Sequence, residues 1–174
     1  MREPIRVLAI HPGSTWTKIG VFDGEKAVLV ETLYHPPEEL TGFESLCDQF
    51  PYRKRVILDT LDREGINLTR LRAVVGLGGF IRPIPGGTYR VTDVMLKEIR
   101  SGAFGFHISD LGGLLAHEIA SPLHIPAFVV NPVTMAEMAP VTRYGMRNIK
   151  RCCFFHILHQ RAAARRVAAR IGKR

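Results

Sequence analysis

Residues 5–33 read IRVLAIHPGSTWTKIGVFDGEKAVLVETL, and this stretch decides the fold. Its first six residues form an apolar run ended by His11-Pro12-Gly13, the pattern of a buried strand running into a turn. Thr17 to Phe22 predicts a second strand. Asp23-Gly24 is a hairpin turn signal, and Ala27 to Leu33 predicts a third strand. Connections this short force antiparallel pairing, because a parallel pair needs a crossover of a dozen or more residues. The chain therefore opens with a meander and not with a βαβ unit.

Helix and strand alternate after it. Glu38 and Glu39 suit a first helical turn, and Phe43, Leu46, Cys47 and Phe50 recur at helical spacing. Val56, Ile57 and Leu61 continue the pattern beyond Pro51, which is expected to break or kink the helix before Gly65 ends it. Leu71 to Val75 predicts a strand entering Gly76-Leu77-Gly78-Gly79. Residues 81–91 (IRPIPGGTYRV) read as a loop. Thr92 caps a short helix over 92–100. Ser109 or Asp110 caps another that runs to Ala120 and stops at Ser121-Pro122. Ala127 to Val130 is a buried strand, and Asn148 to about Ile171 a long Ala-rich helix. The order β-β-β-α-β-α-α-β-α predicts an α/β mixed sheet with an antiparallel three-strand meander and flanking helices. Residues 1–146 form the domain in this reading, and 147–174 a basic C-terminal helix.

The 174 residues carry 24 Lys+Arg and 16 Asp+Glu, a formal net charge of +8 that raises nucleic acid as a partner. The excess is local. Residues 143–174 hold ten Lys or Arg and no acid, leaving residues 1–142 with 14 basic and 16 acidic side chains. No specific nucleic-acid binding is expected of such a body. An apolar fraction of 46% supports a core, and no run approaches the roughly 20 apolar residues of a membrane span. The short apolar run after MREPIRV is not a signal peptide, and three Cys, two of them adjacent, do not form a disulfide framework. A cytoplasmic location is the expectation. No pair among the seven His has a metal-binding signature, so no metal site is predicted.

Five ordered motifs carry a family resemblance: HPGSTWTK (11–18), GLGGFIRPIPGGTYRV (76–91), HISDLGGLLAHEIA (107–120), IPAFVVNPV (125–133) and FFHILHQRAAARR (154–166). Together they resemble the N-terminal half of butyrate kinase, within the acetate and butyrate carboxylate kinases of the actin and sugar-kinase superfamily. The resemblance implies a ribonuclease-H-like half domain. It also implies ATP and magnesium as cofactors, and phosphoryl transfer to a short-chain carboxylate. Such a reaction must hold two anions together and neutralise charge in the transition state. Gly13, Ser14 and Thr15 would let backbone N–H groups approach phosphate oxygens, with Lys18 adding charge. Gly78 and Gly79, with Gly76, Gly86 and Gly87, suggest close backbone approach to a ligand. Arg82 could face a carboxylate or phosphate, and His107 could donate to a transferring phosphoryl group.

The departures from the family pattern cluster where the cleft is expected. His11 replaces Asn, Trp16 replaces Ser, Leu77 replaces Arg, Asp110 replaces Asn and Asn131 replaces the Asp that supports magnesium. The lost Arg removes a charge-assisted anion contact, and Asn is a weaker metal ligand than Asp. Little or no kinase activity is therefore expected. Two alternatives follow. In one, an engineered or repurposed pocket uses His11 and Asp110 as a general-base pair, with Trp16 and Leu77 as an apolar floor for a small molecule. In the other, the chain is a half domain that self-associates. Phe154, Leu158, Ala164, Ala168 and Ile171 then form an apolar stripe on the last helix, and a second copy is the expected partner.

Overall fold

The computed structural model describes residues 4–134, 144–146, 149–150 and 157–173. The three predicted strands are β1 (Arg6–Pro12), β2 (Trp16–Asp23) and β3 (Lys26–Tyr34), and each pairs antiparallel with the next. Gly24 takes a φ of 60° in the β2–β3 turn, which is the left-handed conformation that Asp-Gly turns require. A one-turn helix α1 (Pro37–Leu40) and a 3-10 turn precede α2 (Phe50–Arg63). Pro51 does not break this helix. It occupies the first turn, where no N–H is needed and the fixed φ of proline suits helix entry. Then come β4 (Leu71–Leu77), β5 (Thr88–Arg90), α3 (Asp93–Ser101), α4 (Asp110–Ala120) and β6 (Ala127–Val130).

The six strands form one mixed sheet in the order β3-β2-β1-β4-β6-β5. β1, β4 and β6 are mutually parallel, while β2 and β5 run against their neighbours. This is the α/β architecture the element order predicts, with one addition. The expected loop 81–91 contains the edge strand β5, which pairs Thr88–Arg90 with Phe128–Val130. Only a partner strand could reveal it, since three residues carry no usable period.

Helix α4 is apolar on nearly every side, and Leu111, Leu115 and Ala116 are fully buried. It lies against β1, β4 and β6 on one face of the sheet, with α2 beside it. Leu8, Ile10, Ile19 and Val21 from the sheet and Ile57 and Leu61 from α2 complete this core. Full burial of each such side chain contributes about 2 kcal/mol. The opposite face shows the alternate residues. Ala9, His11, Phe22, Val75 and Val130 are half-buried, and Val28 and Val30 are 42% and 52% exposed.

The C-terminal region differs from expectation. Ile149–Lys150 is a strand, β8, paired with β7 (Tyr144–Met146), so the last helix does not begin at Asn148. That helix, α5, spans Ile157–Arg170. Local strand pairing overrides helix propensity at 149–150. Phe154 and the first residues of the FFHILHQ motif lie outside the described residues. From Gln160 to Lys173 the chain is exposed, with only Ala168 half-buried.

Candidate functional site

The parallel register brings the C-terminal ends of β1, β4 and β6 to one edge of the sheet, and the segments that carry the sequence-predicted site residues leave from there or follow in the chain. They form three groups.

The first is the β1–β2 turn. Gly13 and Trp16 close it through the Gly13 N–H to Trp16 carbonyl bond at 2.7 Å, leaving Ser14 and Thr15 exposed at the tip. The Trp16 indole folds over Gly13, where an added Cβ would sit 2.3 Å from the ring. A side chain at position 13 would therefore have to displace the indole. Beneath the turn lies Arg53, fully buried on the first turn of α2. Its guanidinium donates to the carbonyls of Gly13, Trp16 and Ser14 at 2.9 Å and to Thr17 Oγ1 at 3.0 Å. Gln49 Oε1 accepts from Nε at 3.1 Å and from Nη2 at 2.9 Å. Burial pulls the Arg53 pKa down to about 10. His35, 2% exposed, braces the same turn. Its N–H donates to the Thr15 carbonyl at 2.8 Å, and its Nε2 meets Thr17 Oγ1 at 2.8 Å. Nδ1 lies 3.3 Å from the Tyr52 hydroxyl. Burial, then the Arg53 charge, pushes the His35 pKa down to about 4.

The second group surrounds the N-terminus of α4. Asp110 accepts from the Phe80 N–H at 2.5 Å through Oδ1 and from the His107 N–H at 2.7 Å through Oδ2. Burial raises its pKa against the effect of those bonds. His107 stacks on Phe80 with centroids 5.4 Å apart, and its Nδ1 meets Ser109 Oγ at 2.7 Å. The glycines serve packing here. A Cβ on Gly76 would lie 1.9 Å from the Gly112 carbonyl oxygen. One on Gly79 would lie 1.9 Å from Asp110 Oδ1, and one on Gly78 would lie 2.9 Å from Pro132. The space beside all three is filled by protein. Asn131, 2% exposed, turns the chain after β6 with a φ of 54°. Arg82 does face a carboxylate, but an internal one, since its Nε and Nη2 both bind Glu98 of α3.

The third group lies on the sheet face away from α4. A cavity of about 230 Å³ is lined there by His11, Lys18, Phe22, Val30, Leu77 and Val130, among others. His11 and Lys18 are cross-strand partners at its polar end. His11 also meets Trp16 edge-on, with ring centroids 5.0 Å apart.

Two expected associations are absent. Both Asp110 oxygens are spent on backbone N–H groups, and strand alternation turns His11 away from α4, so His11 and Asp110 do not pair. Nor do Trp16 and Leu77 share a floor, since Trp16 covers Gly13 while Leu77 lines the cavity. Arg53, Gln49, Thr17 and His35 were not legible as site residues. The available signal was Arg53 itself, a charge in helical register with the buried Ile57, Thr60 and Leu61. Among the described residues no group of three or more His, Cys, Asp or Glu could hold a metal ion. Asn131 is neutral and Asp110 accepts two backbone N–H bonds, so these described donors do not fit magnesium. No helix among them is long and apolar enough to cross a membrane.

No family model matches the chain. Among solved structures it is similar to acetate kinase from Porphyromonas gingivalis, at 17% identity and a TM-score of 0.51 over 98% of this chain and 50% of that one. A propionate kinase from Francisella tularensis matches at 13% identity and a TM-score of 0.48, over 98% and 50% of the two chains. YeaZ from Pseudomonas aeruginosa matches at 16% identity and a TM-score of 0.41, over 75% and 45%. The chain thus spans about half the length of these structures or less. The likeness is one of fold: a six-stranded mixed sheet with flanking helices, shared with half of the acetate kinase chain.

Proposed function

We propose that this chain is the phosphate-binding half domain of a carboxylate kinase of the butyrate kinase type, and that it binds a phosphate-bearing ligand such as ATP at the β1–β2 turn with little or no phosphoryl transfer of its own. The observation that supports this most is the set of the turn's peptide groups. The Gly13 and Ser14 carbonyls point down to Arg53. In a trans peptide the following N–H points the opposite way, so the N–H groups of Ser14 and Thr15 face outward at the exposed tip. Successive outward N–H groups make an anion-binding concavity. The weak transfer activity follows from Leu77, which brings no charge, and from Arg82, whose charge Glu98 answers. The test is a titration with pyrophosphate and with ATP, followed through backbone amide shifts, beside a phosphoryl-transfer assay with butyrate. Shifts centred on Ser14 and Thr15 with no measurable transfer are expected. Shifts elsewhere, or none, refute the reading.

A second reading is self-association. It is favoured by α5, which exposes Ala164, Val167 and Ile171 with Ala168 half-buried along one stripe. A concentration-dependent rise in sedimentation coefficient is expected, and a monomer at all concentrations removes this reading.

A further inference from the structure

We infer that Arg53 is the buried counter-charge of the anion bound at the β1–β2 turn, and the positioning residue that holds the turn ready for it; this rests on the phosphate-binding reading above. A fully buried guanidinium ordinarily sits against a carboxylate, since taking an unpaired charge out of water is costly. Among the described residues Arg53 has six hydrogen bonds and no carboxylate partner. Three are backbone carbonyls, one is a hydroxyl, and the other two go to a single side-chain amide. Three other arginines do take acids: Arg6 binds Asp23, Arg63 binds Glu31 and Glu64, and Arg82 binds Glu98. At Gln49, four residues earlier on the same helical face, one atom change to Glu would supply the missing anion, yet the position holds a neutral amide.

The same bonds orient the turn. By drawing the Gly13 and Ser14 carbonyls inward, Arg53 fixes the outward aim of the next two N–H groups before any ligand arrives. An oxyanion at the tip then meets preorganised dipoles with a positive charge directly beneath them. Screening there is weaker than at the surface, because no water reaches the guanidinium. An internal carboxylate would cancel that field without disturbing the geometry. The turn's affinity for phosphate therefore depends on the charge of Arg53 as well as on its shape.

Pyrophosphate titration of the full chain, read at the Ser14 and Thr15 amides, separates these contributions. Arg53→Met is expected to weaken binding at least about tenfold, with Arg53→Lys intermediate. The deciding variant is Gln49→Glu, which keeps the side-chain shape and places a carboxylate on the guanidinium. It should melt at or above the wild-type temperature and still bind pyrophosphate about tenfold more weakly. A purely structural Arg53 predicts unchanged binding in that variant, and such a result overturns the inference while leaving the phosphate site intact. If Arg53→Met does not fold, Gln49→Glu decides alone. If the wild-type amides do not respond, the phosphate reading fails and this inference fails with it.

Discussion

Acidification should weaken the fold through His35. The side chain is buried between Thr17 and Tyr52, within hydrogen-bond reach of both hydroxyls. Nδ1 lies 3.3 Å from the Tyr52 hydroxyl. Thr17 Oγ1 accepts from Arg53 and lies 2.8 Å from His35 Nε2. Adding a proton to the buried imidazole places a charge out of water and sets a second cation beside Arg53. Burial and Arg53 lower the His35 pKa to about 4, with Glu39 opposing them weakly. In the unfolded chain the group returns to about 6.5. Between these values the unfolded state binds more protons, so stability rises with pH across the window. The contribution is complete above about pH 6.5 and is lost as pH falls towards 4, below which both states are protonated. A gap of about 2.5 pH units at about 1.4 kcal/mol each amounts to roughly 3 kcal/mol. That is a large share of a typical folding free energy of about 5–15 kcal/mol. Urea unfolding from pH 7.5 to 4, on wild type and His35→Gln, measures it. The wild type should lose roughly 3 kcal/mol more than the variant over this range. An identical acid limb in both proteins, or an imidazole titrating near 6.5 in the folded state, refutes the reasoning.

Gly76→Ala should destabilise the fold by about 3 kcal/mol or more, because the new Cβ meets the Gly112 carbonyl, which is backbone and cannot swing aside. An unchanged melting temperature would contradict the close β4–α4 approach. Asp110→Ala leaves the Phe80 and His107 N–H groups without their acceptor and should cost about 3 kcal/mol. Hydrogen exchange at those two amides should accelerate, and retained protection would show that Asp110 is not their clamp.

The meander was legible because strand, turn and strand are local signals: apolar runs, Pro-Gly and Asp-Gly. The same holds for the Thr92 cap, which accepts from the Met95 N–H as expected. Other features depended on partners remote in the chain. Strand β5 exists because β6 lies beside it, and Ile149–Lys150 pairs with β7 despite a helix-forming neighbourhood. The glycines of 76–79 looked like ligand-facing residues. Sequence shows that a side chain is absent but not what fills the space, and here the filler is α4 and Pro132.

Sequence alone determined the class of sheet, the position of the β1–β2 turn, and the confinement of the surplus positive charge to residues 143–174. These are properties of composition and short-range spacing, and folding does not alter them. Only tertiary structure decided which charges are answered. Arg82, apparently available, is held by Glu98 across 16 residues. Arg53, one cation in an Arg-Lys-Arg run, is carried 40 residues back to the Gly13 carbonyl and buried there without a carboxylate. Whether a charge is spent internally depends on what the fold packs against it, and that information is nonlocal in the chain.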